Sequence, residues 1–562
     1  METCKRIIKK YSLIPEIIFC SLTFYLVWMK CGLWFETNDD LIINDLLRGA
    51  ITGQPEYHTI YNSVILTAPL SLLYRIAPTI PWWGGFLILC NGMSIIIPLD
   101  AVVKRGKNFF SVILGTITIV LTIMPSLYLR GRIQYTSTAM LLAIAGFVAL
   151  ALYENSAGMW LFGILEFLAF VIRPEAMEII LPIGFGLLFV CLSETEDDVA
   201  KGLKKIAISV GVVFAILLIG YATKFLVYSG SKWEASKTYE SGRQQMFDYT
   251  GIADYGDIKE NYKRGVTKGE YEAFGHSLVL DYEHLAETVQ AASYISKENV
   301  EKPSIPETLR NVYFDSYFGI NGQFKKLGYP LLGGWILLLT VSIICRRIHG
   351  FIGFTIIYLI TKGVSWGYIF MKGRMPIRIM LPMYILELTC LTVMAFLFIN
   401  DEPGRKGWLK YLALPFIAAL GFACFISAKE QFLITADQMK SYPILREMET
   451  EISNYCKIHG DKKLILSTYI YSNFRRSVFD VGEDDPEYIY AGGWFSCLPS
   501  VKEKNHSYLE SGYIYLITTA ESINGNVEAE LDYLNERYDY SPQKEDVLSL
   551  VTGGEAIVYR VR

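Results

Sequence analysis

Long apolar blocks alternate along the chain with polar segments that carry most of its charges. Most of these blocks have roughly 17–25 residues, the length that an α-helix needs to cross about 30 Å of hydrocarbon. The predicted membrane spans cover 12–35, 82–103, 109–128, 134–153, 158–172, 177–193, 206–227, 330–345, 351–371, 378–399 and 409–428. The pattern therefore predicts an α-helical polytopic membrane protein with about eleven transmembrane helices.

One further apolar stretch, 60–79, is ambiguous because Pro69, Arg75 and Pro78 interrupt it. The distribution of positive charge favours one interpretation, since cytoplasmic loops carry an excess of Lys and Arg. The basic loops are 104–108, 194–205, 346–350 and 400–410. They all fall in the cytoplasm only if 60–79 lies at the outer interface without crossing, and we adopt that topology.

The adopted topology places the N-terminus in the cytoplasm and three polar regions outside. These regions are the loops 36–81 and 228–328 and the C-terminal tail. We predict two domains, a transmembrane domain over 1–428 that includes both loops and a small extracytoplasmic α/β domain over 429–562. The tail has helical patterns over 439–458 and 527–537. Its predicted strands are 464–471, 513–518 and 555–560.

Composition and charge narrow the function. The chain is 52% hydrophobic and only 19% charged, with a net charge of −4, which argues for membrane lipids and against nucleic acid as partners. It has no phosphate-binding loop, zinc-protease, esterase or protein-kinase motif. An ATP-driven pump, a metalloprotease and an esterase are therefore disfavoured. No cleaved or organellar targeting signal is recognisable, which makes a bacterial plasma membrane the simplest location.

The most informative polar stretch follows the first span and contains the adjacent carboxylates Asp39 and Asp40. Neighbouring carboxylates repel each other, and water, a cation or a divalent metal stabilises them. A carboxylate at such a place can also act as a general base on a hydroxyl group. The alternative is an ordinary loop whose Asp residues cap the following helix, predicted from Leu41 to Gly49.

Several positive residues lie at the outer ends of predicted spans, where a charge without a function would more cheaply be cytoplasmic. They are Arg130, Arg132, Arg173, Lys372, Arg374 and Arg378. Snorkelling of long side chains to the interface explains any one of them. Because three groups converge on one face, a shared anionic ligand is also indicated, and a guanidinium suits a phosphate through two parallel hydrogen bonds.

An acidic pair after the first span, followed by juxtamembrane helices outside, resembles the GT-C superfamily of membrane glycosyltransferases. This superfamily includes protein O-mannosyltransferases, aminoarabinose transferases and bacterial GtrII-like transferases that use polyprenyl-phosphate sugars. The resemblance covers the arrangement of about residues 1–430. It implies an inverting, hexosyltransferase-type enzyme that moves a sugar from a polyprenyl-phosphate donor to a glycan, lipid or protein acceptor outside the cytoplasm, as in cell-envelope polysaccharide biosynthesis.

The same resemblance suggests roles for individual residues. Asp39 would be the base or a metal ligand supported by Asp40, and Mg²⁺ or Mn²⁺ would be the cation if one is bound. The outer cationic residues would hold the leaving phosphate. Three further candidates for substrate or phosphate binding are Gln134, Glu175 and His58. At Gln134 the related enzymes often have a polar or an acidic residue, and this chain has no Asp there.

Two other classes of protein stay open. Glu166, Glu178 and Glu387 fall within predicted spans, and a carboxylate inside the membrane often belongs to a proton or ion relay. A transporter or a flippase of lipid-linked sugars would explain them, although no inverted repeat is visible. A polysaccharide polymerase or ligase would use the outer arginines and would not need the acidic pair.

Overall fold

The computed structural model describes residues 9, 11–195, 198–301, 303–318, 325–400, 411–459, 462–481, 488–510, 513–519 and 527–562. These residues group into two compact units, each built from three separate segments of the chain. The membrane unit comprises Met1–Trp34, Gly85–Tyr221 and Pro303–Gln438. The polar unit comprises Phe35–Gly84, Ala222–Lys302 and Met439–Arg562.

Nine helices in the described part of the chain are long and apolar enough to cross a bilayer. The long apolar helices are Leu13–Cys31, Trp82–Arg105, Phe109–Gly131, Tyr135–Leu152, Pro174–Thr195, Val199–Val227, Ile348–Lys372, Ile377–Asn400 and the apolar part of Tyr411–Ile458, which is helical over Leu414–Met439. Two shorter apolar helices, Ser156–Ile172 and Gly328–Ile344, coincide with two more predicted spans. All eleven predicted spans are thus helices, and the predicted multi-pass helical fold is confirmed. The basic loop predicted over 400–410 lies almost entirely outside the described residues.

The ambiguous segment contains the helix Val64–Ile76, which has 13 residues and therefore spans roughly 20 Å. That length is too short for the hydrocarbon core. Ser63 caps its first turn by accepting a hydrogen bond from the Ile65 N–H, and the helix belongs to the polar unit. These features agree with a segment that does not cross the membrane.

Two helices form the centre of the membrane unit. In Tyr135–Leu152 and Ile377–Asn400 every residue of the most apolar 18-residue stretch is buried, so neither helix has a face left for lipid. The helices Leu13–Cys31 and Val199–Val227 are the opposite case, because only 17% and 22% of the residues in their most apolar 18-residue stretch are buried. Their exposed Leu, Ile and Phe side chains are suited to contact with lipid chains.

The polar unit contains a five-stranded sheet. Its strands are β1 (Lys462–Ser467), β2 (Tyr488–Ala491), β3 (Tyr513–Thr519), β4 (Gln543–Ser549) and β5 (Glu555–Arg560). They are ordered β2-β1-β3-β5-β4, with β1 parallel to both β2 and β3, and β5 antiparallel to β3 and β4. The predicted α/β tail is confirmed, whereas β2 and β4 were not predicted.

Besides the helix Val64–Ile76, the described part of the polar unit contains seven helices of 8 or more residues outside the sheet. They are Asn38–Arg48, Glu234–Gln245, Lys268–Gly275, Tyr282–Glu298, Tyr442–Ile458, Pro499–Leu509 and Val527–Tyr538. One apolar core joins Tyr239, Leu285 and Cys497. A second joins Ala273 and Leu278 to the strands and to Tyr533. The loop segments and the tail thus share cores in one unit. The predicted domain boundary at 428 falls inside the helix Leu414–Met439. The last segment of the polar unit begins at Met439 instead.

Candidate active site

The acidic pair lies in the first turn of the helix Asn38–Arg48, which we call the acidic helix. A helix N-terminus carries partial positive charge from its free backbone N–H groups, so it stabilises both carboxylates. Gly49 ends the helix with a φ of 90°, and a Cβ at this position would lie 2.5 Å from the Gln54 carbonyl carbon. The helix therefore ends where only glycine fits.

The two carboxylates have different environments. Asp40 is fully buried and accepts a hydrogen bond from the Thr37 hydroxyl at 3.2 Å. Asp39 is half-buried, and its Oδ1 accepts a hydrogen bond from the indole Nε1 of Trp494 at 3.0 Å. Across the described residues no other side chain pairs with Asp39. Its second oxygen is therefore open to a ligand, whereas Asp40 is committed to the protein.

The acidic helix has no solvent-facing polar side, because every residue from Asp40 to Leu47 is buried. Its polar residues are paired inside the unit. Asp45 Oδ1 accepts from Arg48 at 2.9 Å and from Arg476 at 3.0 Å, and Oδ2 accepts from the Tyr471 hydroxyl at 2.9 Å. Burial alone would raise the pKa of Asp45, but Arg476 and Arg48 hold it below its ordinary value.

Arg476 also binds a second carboxylate. Its Nε and one terminal nitrogen both donate to Glu449 Oε1, and the Arg446 guanidinium forms an ion pair with Glu449, with 2.8 Å between NH1 and Oε2. Two carboxylates and three guanidinium groups thus form one network, in which Asp45, Glu449 and Arg476 are buried, and it ties the acidic helix to the tail. Its members are held in place by charge and by hydrogen bonds together.

His58 forms a dyad with Glu56 in the segment after the acidic helix. Glu56 Oε1 lies 2.7 Å from His58 Nδ1 and accepts the backbone N–H groups of Tyr57 and His58 at 2.8 and 2.9 Å. Burial would raise the pKa of Glu56, but hydrogen bonds from His58 and Ser500 lower it to about 2. The ring packs against Trp233 and Tyr228, with centroid distances of 5.1 and 5.7 Å. This arrangement fixes the imidazole and turns Nε2 away from Glu56.

Two of the predicted phosphate-binding arginines lie where spans end in the membrane unit. Arg132 packs against the Tyr128 ring and donates to the Tyr128 hydroxyl and to Gln438. Arg173 follows the helix Ser156–Ile172 and lies 3.1 Å from Glu175, a residue that is itself 48% exposed. Both residues keep part of their surface exposed, although Arg132 Nε and one terminal nitrogen of Arg173 are buried.

The third cationic group lies between the helices Ile348–Lys372 and Ile377–Asn400. Lys372 ends the first of these helices, and Gly373 follows it with a φ of 71°. Arg374 precedes the second helix and Arg378 lies in its first turn. Three positive residues thus fall within a stretch of seven residues, where two consecutive spans are joined.

Arg130 and Gln134 are placed differently. Arg130 is 2% exposed, and its NH1 donates to the carbonyl and the side chain of Asn91 and to Ser94, at 2.8–3.0 Å. It lines a small, mainly apolar cavity of about 30 Å³. Gln134 is fully buried and caps the helix Tyr135–Leu152 through Ser137. Both residues are engaged in holding the helix bundle together.

The carboxylates predicted inside spans have different surroundings. Glu387 pairs with Lys362 at 3.0 Å, and both side chains are fully buried. Tyr358 and Trp366 donate to the same carboxylate, and the Lys362 ammonium lies 3.9 Å from the centroid of the Tyr317 ring. This pair is a closed structural unit, and the sequence reasoning had singled out Glu387 without its partner.

Glu178 and Glu166 complete the set. Glu178 accepts a hydrogen bond from the Tyr221 hydroxyl at 2.6 Å. Glu166 is fully buried, and within the described ranges its two oxygens have no hydrogen-bond partner. Its Oε1 lies only 2.8 Å from where a Cβ on Gly146 would stand, so the close packing of two helices encloses it. Of these three carboxylates in the described residues, Glu166 alone keeps the character of an isolated intramembrane acid.

A divalent cation would need ligands besides the acidic pair. Among the residues that the structure describes, no group of three or more His, Cys, Asp and Glu side chains could hold a metal ion. Asp40 is buried and bound to Thr37, which leaves Asp39 as the accessible oxygen donor. These protein groups do not form a metal cage by themselves. The role of Mg²⁺ or Mn²⁺ stays a prediction.

Comparison with known proteins gives a distant structural likeness. No family model and no curated protein matches the chain. The chain is similar to the crystal structure of ArnT from Cupriavidus metallidurans bound to undecaprenyl phosphate, with 9% identity, 97% of both chains covered and a TM-score of 0.38. The apo state of that protein matches with the same identity and coverage and a TM-score of 0.36.

The fold defines a multi-pass helical membrane protein with an attached α/β unit. Sequence reasoning found the acidic pair but missed Trp494, Glu56 and Arg476, which contact the acidic helix or its neighbours. One local signal was available for Trp494, because the two glycines before it mark a sharp turn. Nothing in the local sequence distinguishes Arg476 from Arg475.

Proposed function

We propose that this protein is a membrane glycosyltransferase that moves a sugar from a polyprenyl-phosphate donor to a hydroxyl group of an acceptor outside the cytoplasm. The observation that carries the proposal is the asymmetry of the acidic pair. Asp40 is buried and bound to Thr37, whereas Asp39 is half-buried with one oxygen free of any described partner. A rigidly held, accessible carboxylate is what a general base requires.

In the proposed reaction Asp39 accepts the proton of the acceptor hydroxyl. The acceptor oxygen forms a bond to the anomeric carbon, and the bond between that carbon and the phosphate oxygen breaks. The polyprenyl phosphate leaves with the bonding electrons. Attack opposite to the leaving group inverts the configuration at the anomeric carbon, and Asp40 supports Asp39 as a second charge at the helix N-terminus.

The leaving phosphate gains negative charge as the bond breaks, so cationic groups accelerate its departure. We assign this role in the membrane unit to Arg132, Arg173, Lys372, Arg374 and Arg378. Glu175 orients Arg173 through their 3.1 Å ion pair. Arg130 and Gln134 are left out of this assignment, because their polar atoms are bound within the helix bundle.

The Glu56–His58 dyad is proposed as a contact for the acceptor. Glu56 stays ionised because its pKa is lowered to about 2, so it fixes the imidazole by accepting from Nδ1. The Nε2 atom then presents one polar contact beside the rings of Tyr57 and Tyr228. A polar atom next to aromatic faces suits a sugar hydroxyl next to the apolar face of its ring.

The test is transfer of labelled sugar from a panel of polyprenyl-phosphate sugars, with wild-type, Asp39→Asn and Asp40→Asn proteins in membranes at equal amounts. We expect wild-type transfer, a decrease of roughly 100-fold or more in Asp39→Asn, and a smaller decrease in Asp40→Asn. Transfer that is insensitive to Asp39→Asn would refute the base and favour a polymerase-like site built on the arginines. Addition of EDTA to the same assay decides whether a divalent cation takes part.

A further inference from the structure

Trp494 lies in the α/β tail and contacts the proposed base directly. The side chain is 4% exposed, and its Nε1 donates to Asp39 Oδ1 at 3.0 Å. Indole has one donor and no acceptor, so this contact uses its whole hydrogen-bonding capacity. The bond occupies one carboxylate oxygen and leaves the other to face a ligand.

The backbone before Trp494 turns sharply at the end of strand β2. Gly492 and Gly493 have φ values of 86° and 73°, in the left-handed region that glycine adopts without steric cost. The Gly492 N–H donates to the Val279 carbonyl at 3.2 Å, which anchors the turn. Two consecutive glycines thus redirect the chain from the sheet and set the direction of the indole.

The other side of the indole is held by an aromatic contact. The ring of Tyr61 lies 5.1 Å from that of Trp494, between centroids. The Tyr61 hydroxyl donates to Glu240 Oε1 at 3.2 Å and accepts from Arg243 at 3.3 Å. Arg243 and Glu240 share two hydrogen bonds of 2.6 and 2.7 Å, so Tyr61 is fixed by a buried ion pair.

We propose that Trp494 is a positioning residue that fixes the rotamer of Asp39, with Tyr61 as its support. The α/β tail then takes part in the chemistry by orienting the base, besides any role in binding the acceptor. All three segments of the polar unit contribute, the first through Asp39 and Tyr61, the second through Glu240 and Arg243, and the third through Trp494. The orientation of Asp39 follows from the 3.0 Å hydrogen bond alone. The effect on catalysis rests in addition on the proposed function.

The kinetic test is Trp494→Phe, which keeps an aromatic ring and removes the N–H donor. We expect kcat to fall about 10-fold, because an unrestrained carboxylate is less often aligned with the acceptor hydroxyl, while KM and the melting temperature stay close to wild type. The matched control is Trp82→Phe, which removes an N–H bond of the same 3.0 Å length to the Ala77 carbonyl in the same unit. It should leave kcat unchanged.

A wild-type kcat in Trp494→Phe would overturn the proposal, as would an equal loss of kcat in Trp82→Phe. A second measurement does not depend on activity. The chain has 10 tryptophans, and their indole N–H resonances can be recorded in ¹⁵N-Trp-labelled protein. The resonance that Trp494→Phe removes should shift in Asp39→Asn. If it does not shift, the contact is absent and the proposal fails, whatever the transfer assay gives.

Discussion

Arg476 donates a hydrogen bond to Asp45 at 3.0 Å inside the polar unit, although 431 residues separate the two along the chain. Asp45 is fully buried and Arg476 is 3% exposed. Buried ion pairs contribute little when compared with apolar residues of equal size, but removal of one partner leaves a buried charge without compensation. The pair therefore makes the position of the acidic helix dependent on the tail.

The first prediction concerns this pair. Arg476→Met should destabilise the polar unit by about 3 kcal/mol, because Asp45 and Glu449 both lose their shared cation and keep only Arg48 and Arg446. Thermal unfolding in detergent and limited proteolysis of the tail measure the effect. Lys268→Met, which breaks an exposed ion pair with Glu272 in the same unit, is the control and should unfold like wild type. Equal melting of both variants would contradict the prediction.

A second prediction concerns pH. The folded pKa of Glu56 is about 2, below the ordinary value of 4.5, so its carboxylate stabilises the fold above pH 4.5. The contribution, on the order of 3 kcal/mol, is lost as the pH falls from about 4.5 towards 2. Melting temperatures of wild type and Glu56→Gln should differ at pH 7, and the difference should shrink steadily as the pH is lowered from about 4.5 to 2. A constant difference across this range would show that the carboxylate is not responsible.

The third prediction concerns the buried pair in the membrane unit. Lys362→Met leaves Glu387 as an unpaired charge in an apolar surrounding, so the protein should be strongly destabilised. Lys362→Met combined with Glu387→Leu removes both charges and should recover much of the loss, as measured by melting in detergent. If the double variant were no better than the single one, the pair would have a role beyond charge compensation.

Glu166 leads to the opposite expectation. Its carboxyl group is fully buried without a partner among the described side chains, which costs about 1–3 kcal/mol. Glu166→Leu should therefore raise the melting temperature and leave sugar transfer unchanged. The conservative Glu166→Gln keeps the polar group buried and serves as the comparison. Loss of a measured transport activity in Glu166→Leu, with sugar transfer absent from wild type, would favour the transporter interpretation instead.

Sequence periodicity alone was sufficient to predict most of the fold. A membrane span needs a continuous apolar block, and no tertiary contact is needed to recognise one, so the eleven predicted spans coincide with helices. The strand β2 was missed because Tyr488–Ala491 has only four residues, and β4 because its exposed Gln543–Glu545 part does not look like a core strand. Short and edge strands depend on partners that are distant in sequence.

The candidate site was predicted only in part for a related reason. Two adjacent acidic residues after a span are visible in the sequence, and so are the positive residues at the predicted outer ends of other spans. The burial of Asp40 and the accessibility of Asp39 are not visible, because they depend on the packing of the acidic helix. Arg130 was grouped with the outer arginines from its position in the chain, but its hydrogen bonds to Asn91 and Ser94 turn it inwards.

The separation of 455 residues between Asp39 and Trp494 has a consequence for biosynthesis. At about 5–20 residues per second, a ribosome needs roughly 20–90 s to make the chain between them. During that interval the acidic helix has already emerged, but the strand and turn that hold its first aspartate do not yet exist. If the proposed function holds, a nascent chain would therefore reach its full rate only after its last domain is translated and folded.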